Sequence, residues 1–260
     1  MFLIDTHAHL FLEQFDEDRA QVIQNAVDNG IKKIFLPDID RSTSNAVLEL
    51  AKKYSGICYP MIGLHPTSVK ENFRDELKHV ENMLDKEKYY GIGESGIDLY
   101  WDKTFLKEQI EAFRFQINLA KKTGLPLIIH SRESFNEIFS VLDELNDDNL
   151  KGIFHSFTGN EAQAEKILSY KGFKIGIGGI VTFKNSKLPD VVKKIDLKHI
   201  VLETDSPYLA PTPKRGKRNE SAFLLYIAEK IADIHNVDLQ TVANISTKNA
   251  ENLFGLTIHT

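Results

Sequence analysis

The sequence predicts an α/β fold of the (β/α)8 type, the TIM-barrel architecture, and two observations lead to it. Eight short apolar runs alternate with longer segments of helical periodicity, and side chains of the metal-ligand type follow the apolar runs. Alternation of this kind is typical of a parallel sheet covered by helices. Barrels of this class commonly occupy roughly 250 residues as one unit. We therefore expect a single barrel domain, residues 1–260, with additional C-terminal helices. An open doubly wound sheet is the alternative.

The apolar runs are the predicted strands. They are short and contain few polar residues, as strands buried on both faces do. In chain order the eight runs are 2–5, 31–37, 57–63, 89–94, 125–130, 151–155, 173–179 and 199–205.

The segments between the runs are the predicted helices, most with apolar residues spaced three and four apart. The first and the fourth end in glycine, as helices often do. These segments are 16–30, 42–54, 71–86, 107–124, 132–146, 160–172 and 188–195, and two more amphipathic helices are expected at 220–236 and 239–255.

Composition and charge narrow the function classes. Hydrophobic residues make up 42% of the chain, charged residues 27%, and the formal net charge is -5. A nucleic-acid contact would therefore need a local basic patch. The single cysteine, Cys58, excludes an internal disulfide and fits a reducing compartment. No basic leader precedes the first apolar run, and no stretch approaches the ~20 apolar residues of a membrane span, so the expected location is the cytoplasm.

Histidines and acidic residues gather at the carboxyl ends of the predicted strands. They follow or close the first, fourth, fifth, sixth and eighth strands. Because these strand ends meet on one rim of a barrel, residues far apart in sequence can share one pocket. The six residues are His7, His9, Glu94, His130, His155 and Asp205.

This set predicts a centre of two divalent ions, since neutral imidazole and ionised carboxylate are direct metal ligands. Side chains two apart on an extended chain leave it on the same side, so His7 and His9 can reach one ion. A single catalytic zinc normally uses three protein ligands, whereas two ions about 4 Å apart use the set better. Glu94 is the expected bridge, with His7, His9 and Asp205 on one ion and His130 and His155 on the other. Magnesium, manganese and zinc all remain possible.

The predicted chemistry is hydrolysis, because a pair of ions lowers the pKa of a water held between them. Asp205 is placed to take the proton from that water. Glu203 points to the same side of the eighth strand as Asp205 does, and we expect it to orient a ligand histidine. The sequence agrees equally well with Glu203 as an ordinary solvated or hydrogen-bonded glutamate.

Basic and aromatic side chains on the same rim favour an anionic substrate. His65 and Arg132 could donate hydrogen bonds to an oxyanion. Tyr100, Trp101 and Tyr208 also follow strand ends and could stack on a base, although ordinary packing explains them equally well. The loop after the eighth strand carries the densest cluster of basic residues. This cluster suits the phosphates of a nucleic acid. The alternative is an ordinary solvated loop. The cations of this cluster are Lys214, Arg215, Lys217 and Arg218.

Seven motifs together resemble the TatD-type metal-dependent deoxyribonucleases, a family within the amidohydrolase-like barrels. They are DTHAHL, GLHP, GIGESGID, IIHSR, HSFTG, LETDSPYL and KRGKRNE, in the same order and at compatible spacing from residue 4 to about residue 254. The resemblance implies a divalent-metal hydrolase that cleaves phosphodiester bonds in DNA, usually trimming single strands from the 3′ end. It assigns a substrate or catalytic role to His65. One departure is Ser221, where the family commonly has proline. The resemblance maps the metal ligands to His7, His9, Glu94, His130, His155 and Asp205.

Two other functions stay open. Related barrels that begin with a His-x-His pair hydrolyse C–N bonds or carboxylic esters such as lactones, and those with two ions often bridge them with a carboxylated lysine on the fourth strand. This chain has Glu94 there, which favours the nuclease branch. The other alternative is a metal-binding protein without turnover, which the complete ligand set and the available base, Asp205, make the weakest of the three.

Overall fold

The computed structural model describes residues 1–256 and confirms the predicted parallel barrel. The domain span predicted for residues 1–260 includes 257–260, which lie outside the described residues. Eight strands occur in the described part of the chain: β1 Leu3–Asp5, β2 Ile31–Leu36, β3 Cys58–Pro60, β4 Ile92–Asp98, β5 Leu127–Arg132, β6 Gly152–Phe154, β7 Phe173–Ile177 and β8 Ile200–Leu202.

The strands close into a circle in their order along the chain. Two groups, β1 to β3 and β4 to β8, are each paired in parallel. Parallel bridges join the groups at both seams, between Ile62 and Ile92 and between Ala8 and Ser206. The seam between β8 and the first strand is also crossed by the Thr6 amide, which donates to the Leu202 carbonyl at 3.1 Å. All strands therefore end on the same rim.

Helices follow the strands around the outside. Asp40 caps the helix Arg41–Lys53 and Asn160 caps the helix Glu161–Ser169, each through its side chain. Gly124 ends the helix Leu106–Thr123 with φ of 69°, in the left-handed region that glycine adopts without strain. The helices are α1 Arg19–Asp28, α2 Arg41–Lys53, α3 Phe73–Leu84, α4 Leu106–Thr123, α5 Phe135–Leu145, α6 Glu161–Ser169, α7 Leu188–Val192, α8 Leu224–His235 and α9 Leu239–Phe254. Among the helices of residues 1–256, none combines the length and the apolar composition of a membrane span.

Every helix differs from its predicted bounds by one residue or more at one end or both. The seventh ends at Val192 rather than at residue 195, and the eighth is preceded by a single 3-10 turn at Ser221–Phe223. Ser221, the residue that departs from the family pattern, begins that turn and is fully buried.

The interior of the barrel is apolar, and the C-terminal helix, α9, covers it at the end opposite the rim. Phe35 of β2 and Ile128 of β5 belong to one buried cluster with Leu253 and Phe254 of α9. The rings of Phe35 and Phe254 stack at 3.6 Å between centroids. This packing fills the end of the barrel opposite the rim and leaves the carboxyl ends of the strands free to form a cavity.

The fourth strand is longer than the sequence predicts. It does not end at Glu94 but continues to Asp98, and its polar residues Glu94, Ser95 and Asp98 are all buried. A Cβ on Gly96, whose φ is +142°, would lie 2.1 Å from the carbonyl oxygen of His130. Only glycine lets β4 approach β5 this closely.

Candidate metal centre

The structure brings the six predicted ligand side chains together at the rim. They come from the segment after β1, from β4 and β5, and from the segments after β6 and β8. Most are almost inaccessible to water. The side chains of His130 and Asp205 keep 16% and 13% exposure, so they face the opening. The buried members of the set are His7, His9, Glu94 and His155.

One group of ligand atoms surrounds a single point. His7 Nε2 lies 3.2 Å from His9 Nε2 and 3.1 Å from Glu94 Oε2. His9 Nε2 lies 3.5 Å from the same glutamate oxygen and 3.6 Å from Asp205 Oδ1. A tetrahedral zinc with bonds of about 2.0–2.1 Å separates its ligand atoms by roughly 3.4 Å. The spacing of this group therefore fits a bound divalent ion.

A second group surrounds the other oxygen of the same glutamate. Glu94 Oε1 lies 2.9 Å from His130 Nδ1 and 3.3 Å from His155 Nε2. His65 Nε2 also lies 3.3 Å from this oxygen and 3.3 Å from His130 Nδ1. The two oxygens of Glu94 thus face two separate sets of imidazoles. This is the arrangement that a carboxylate between two ions requires.

The second group holds one residue more than the sequence suggests. His65 was expected to contact substrate, and its ring nitrogen reaches the cluster itself. Its other nitrogen, Nδ1, lies 2.6 Å from Thr67 Oγ1. Three groups of side chains in the described residues could hold a metal ion: His7 with His9 and Glu94, His7 with His155 and Glu203, and His65 with Glu94 and His130.

Two buried carboxylates contact the far sides of the imidazoles. Glu203 Oε1 lies 3.0 Å from His155 Nδ1, and Asp98 Oδ2 lies 2.8 Å from His130 Nε2. Such contacts fix the orientation of a ligand ring and choose which nitrogen faces the ion. Asp98 is a residue that the sequence prediction missed. Two-residue alternation from Glu94 along β4 is the signal that would have found it.

The charges of the cluster are strongly coupled. Burial raises the pKa of Glu94, but the surrounding imidazoles outweigh it and hold this pKa well below its usual range. Burial lowers the pKa of His9 and His155, but neighbouring carboxylates raise these values to about 9 and about 10. Without a metal these two imidazoles therefore carry protons at neutral pH. A bound divalent ion would displace these protons and would supply the positive charge beside the carboxylates instead.

Two of the imidazoles and the carboxylate of Asp205 already have the protonation state that a divalent metal binds. Burial is the main cause that lowers the pKa of His7 and of His65, so both rings are neutral at pH 7. Neutral imidazole is the form that binds metal. Burial also raises the pKa of Asp205, yet His155 and His9 lower it below its usual value, so this carboxylate is ionised.

The cluster opens into a cavity of about 660 Å³. Most of the ligand side chains line it, and so do the two predicted anion-binding residues, His65 and Arg132. Two aromatic residues, Trp101 and Tyr208, stand among its walls. This volume is within the range of small-molecule sites, so a substrate can reach the ligand cluster.

Two cations of the basic loop contact other parts of the protein. Arg218 Nη2 lies 2.7 Å from Asp18 Oδ2, and the guanidinium of Arg215 lies 3.8 Å from the centroid of the Phe183 ring. The contact of these cations with substrate phosphates stays a prediction. Among residues 1–256, the side chains that line the cavity include none of the four cations of the loop, Lys214, Arg215, Lys217 and Arg218.

The loop after β8 holds Asp205 in an uncommon backbone conformation, with φ of 56°. Fully buried Asn219 supports this loop. Its Nδ2 donates to the carbonyl oxygens of Thr204 and Tyr208, each at 2.7 Å. The sequence prediction missed Asn219, because its partners lie 15 and 11 residues earlier in a segment without regular structure.

A buried cluster of imidazoles and carboxylates on the rim of a (β/α)8 barrel defines the class of barrel-shaped metal-dependent hydrolases. The chain belongs to the family of TatD-related DNases, whose family model matches residues 4–255.

Relatives of known sequence cover nearly the whole chain. An uncharacterized metal-dependent hydrolase of Bacillus subtilis strain 168, YabD, is 40% identical over 253 residues, which are 97% of this chain and 98% of YabD. TatD of Erwinia amylovora, named a 3′-5′ ssDNA/RNA exonuclease, is 28% identical over 260 residues, covering 98% of this chain and 100% of that protein.

A solved structure has the same fold. The crystal structure of YjjV, a TatD homologue from Escherichia coli K12, matches with a TM-score of 0.92 and 29% identity, and the match covers 98% of each chain.

Proposed function

We propose that this protein is a divalent-metal-dependent phosphodiesterase that shortens single-stranded DNA from its 3′ end. The observation that carries the proposal is Glu94, whose two oxygens each face a separate set of imidazoles in an open cavity. The name of the Erwinia relative, a 3′-5′ ssDNA/RNA exonuclease, supports the choice of substrate.

The proposed ligands are divided as the two groups suggest. His7, His9 and Asp205 would hold one ion, His130 and His155 the other, and Glu94 would contact both. Two divalent ions, magnesium, manganese or zinc, would supply an activated water and stabilise the leaving oxygen of the phosphodiester. His65 lies close enough to Glu94 to contribute to the second group or to contact the substrate.

The remaining roles belong to side chains that need no ion. Asp205 is ionised and partly exposed to the cavity, so it can accept a proton from the attacking water. Arg132 supplies a positive charge on the same wall for a phosphate oxygen. Glu203 would keep His155 turned toward the cluster. The positive charge of Arg132 in the cavity thus matches the negative charge of a phosphodiester. This match favours a phosphodiester substrate over an amide or a lactone, which are neutral.

The test uses single-stranded oligonucleotides labelled at the 5′ end, with magnesium, manganese or zinc added. We expect a ladder of products that become shorter one nucleotide at a time, and Asp205→Asn should abolish it. Amide and lactone substrates are assayed in parallel. If no metal supports shortening, or if an amide or a lactone is hydrolysed faster than the oligonucleotide, the proposal is overturned.

A further inference from the structure

We propose that Trp101, supported by Tyr100 and Arg132, is a stacking surface for an unpaired nucleobase at the mouth of the cavity. This inference rests on the proposed function and deepens it. It adds recognition of the base to recognition of the phosphate, and it assigns this role to side chains outside the ligand cluster.

Exposed aromatic side chains concentrate at this mouth. The exposed fraction is 69% for Trp101, 51% for Tyr100 and 48% for Tyr208. Trp101 and Tyr208 line the cavity. Among residues 1–256 the other exposed large apolar side chains lie outside the cavity lining: Met1, Phe2 and Val237. Large apolar surface left in water at one place is a mark of a binding site.

The aromatic pair is anchored rather than loose. Asp98 Oδ1 accepts hydrogen bonds from the backbone amides of Tyr100 at 2.9 Å and Trp101 at 3.2 Å. The carboxyl group of Asp98 is almost fully buried, and its other oxygen contacts His130. The backbone that carries the rings is therefore fixed to the wall of the ligand cluster. A surface that is already ordered loses little conformational entropy when a ligand binds.

A positive charge lies against the same rings. The guanidinium carbon of Arg132 is 3.8 Å from the Tyr100 centroid and 5.3 Å from the Trp101 centroid. Within residues 1–256 no carboxylate pairs with this guanidinium, which leaves its charge for an incoming group. A ring beside an unpaired cation matches a nucleotide, which has a flat base next to a phosphate. A peptide with an aromatic side chain would match the ring but not the charge.

Stacking on an aromatic side chain contributes about 1–3 kcal/mol per base. At 1.4 kcal/mol per tenfold, loss of the ring should weaken substrate binding about 5- to 140-fold. Because stacking acts when the strand binds, the loss should fall on KM and leave kcat within about twofold.

The kinetic test compares Trp101→Ala and Trp101→Phe with the wild-type enzyme, on oligothymidylate and on an equally long strand whose nucleotides are all abasic. Phe2→Ala is the matched control, because Phe2 is an exposed ring with a lysine against it that lies outside the cavity. We expect Trp101→Ala to raise KM on oligothymidylate only, and Trp101→Phe to recover most of the loss. Unchanged KM for Trp101→Ala, or an equal loss on the abasic strand, overturns the inference.

A binding test separates this inference from the proposed function. Trp101 is the only tryptophan of the chain, so tryptophan fluorescence reports on this surface alone. With metal present, the Asp205→Asn variant is titrated with each strand and with inorganic phosphate. Quenching by oligothymidylate but not by the abasic strand or phosphate supports the stacking surface, even if the wild-type enzyme cleaves nothing. Equal quenching by both strands, or none, contradicts it.

Discussion

At the scale of single residues, the imidazoles of the cluster have contacts on two sides. His155 faces Glu94 with Nε2 and Glu203 with Nδ1. His130 faces Glu94 with Nδ1 and Asp98 with Nε2. A ring held on both sides has its metal-binding nitrogen fixed before an ion arrives. The carboxylates behind the rings should therefore matter for metal affinity as well as the ligands themselves.

Replacing Glu203 by glutamine should weaken metal binding about 10- to 100-fold, which is the usual cost of losing a partner behind a ligand histidine. Competition with a chromogenic chelator measures the affinity. Glu229→Gln, on the exposed face of α8, is the matched control and should bind metal as the wild type does. Equal affinity in Glu203→Gln and the wild type would show that His155 does not need this contact.

The buried carboxyl group of Asp38 makes the free energy of unfolding depend on pH. Burial raises the pKa of Asp38 from 3.8 to about 7, although Ser44 and Thr43 donate hydrogen bonds to its carboxyl group. Between these two values the folded protein holds a proton that the unfolded chain has lost. The contribution of Asp38 to the free energy of unfolding therefore falls as pH rises from about 4 to about 7, and then levels off.

Asp38→Asn removes this titration, so the stability of the variant relative to the wild type should increase as pH rises across that interval. Urea unfolding of both proteins at several pH values measures the difference. A difference that stays constant, or that changes in the opposite direction, would contradict the raised pKa of Asp38.

At the scale of elements, the strand ends are predictable and the loops that complete the site are not. Apolar runs mark all eight strands, and the position of His7 and His9 after β1 follows from them. The continuation of β4 to Asp98 was missed because buried polar residues interrupt its apolar pattern. The packing of Arg218 against Asp18 joins segments 200 residues apart in the chain, and a local pattern contains no information about such a contact.

The loop after β8 should depend on Asn219. Asn219→Ala leaves the buried carbonyl oxygen of Thr204 and the partly buried carbonyl oxygen of Tyr208 without their donor, and an unsatisfied buried group costs about 1–3 kcal/mol. We expect a lower free energy of unfolding, by about 1–3 kcal/mol for the buried Thr204 carbonyl, and weaker metal binding because Asp205 loses its position.

Urea unfolding and chelator competition measure these two effects of Asn219→Ala. Asn244→Ala, an exposed change on α9, serves as the control and should alter neither quantity. Normal stability and metal affinity in Asn219→Ala would show that the loop is held by other contacts.

At the scale of the whole molecule, the ligand cluster joins distant parts of the barrel. Its side chains come from both groups of strands and lie on either side of the seam between β8 and β1. The convergence of these five strand ends was predictable because a closed barrel places them on one rim. The position of the basic loop was not, since it depends on how a long irregular segment folds back on the surface.

A bound ion should therefore stabilise the fold. At a free metal concentration 100 times the dissociation constant, linkage adds about 2.7 kcal/mol to the free energy of unfolding. We expect chelation to lower the melting temperature and added metal to restore it, as measured by calorimetry. Glu94→Gln, which removes the shared carboxylate charge, should show a much smaller response. A melting temperature that does not change with metal would mean that no ion joins these strands.

The most direct test of the central claim is the metal-dependent rate at which mononucleotides are released from single-stranded DNA by the wild-type enzyme and by Glu94→Gln. The account predicts that release by the wild type rises with metal concentration to a plateau and stops when the metal is chelated. It also predicts that Glu94→Gln loses at least about 100-fold of the rate, because losing a carboxylate shared by both ions should cost no less than losing a partner behind a ligand histidine, which is about 10- to 100-fold. Release that continues without metal, or that Glu94→Gln supports at the wild-type rate, would contradict the account.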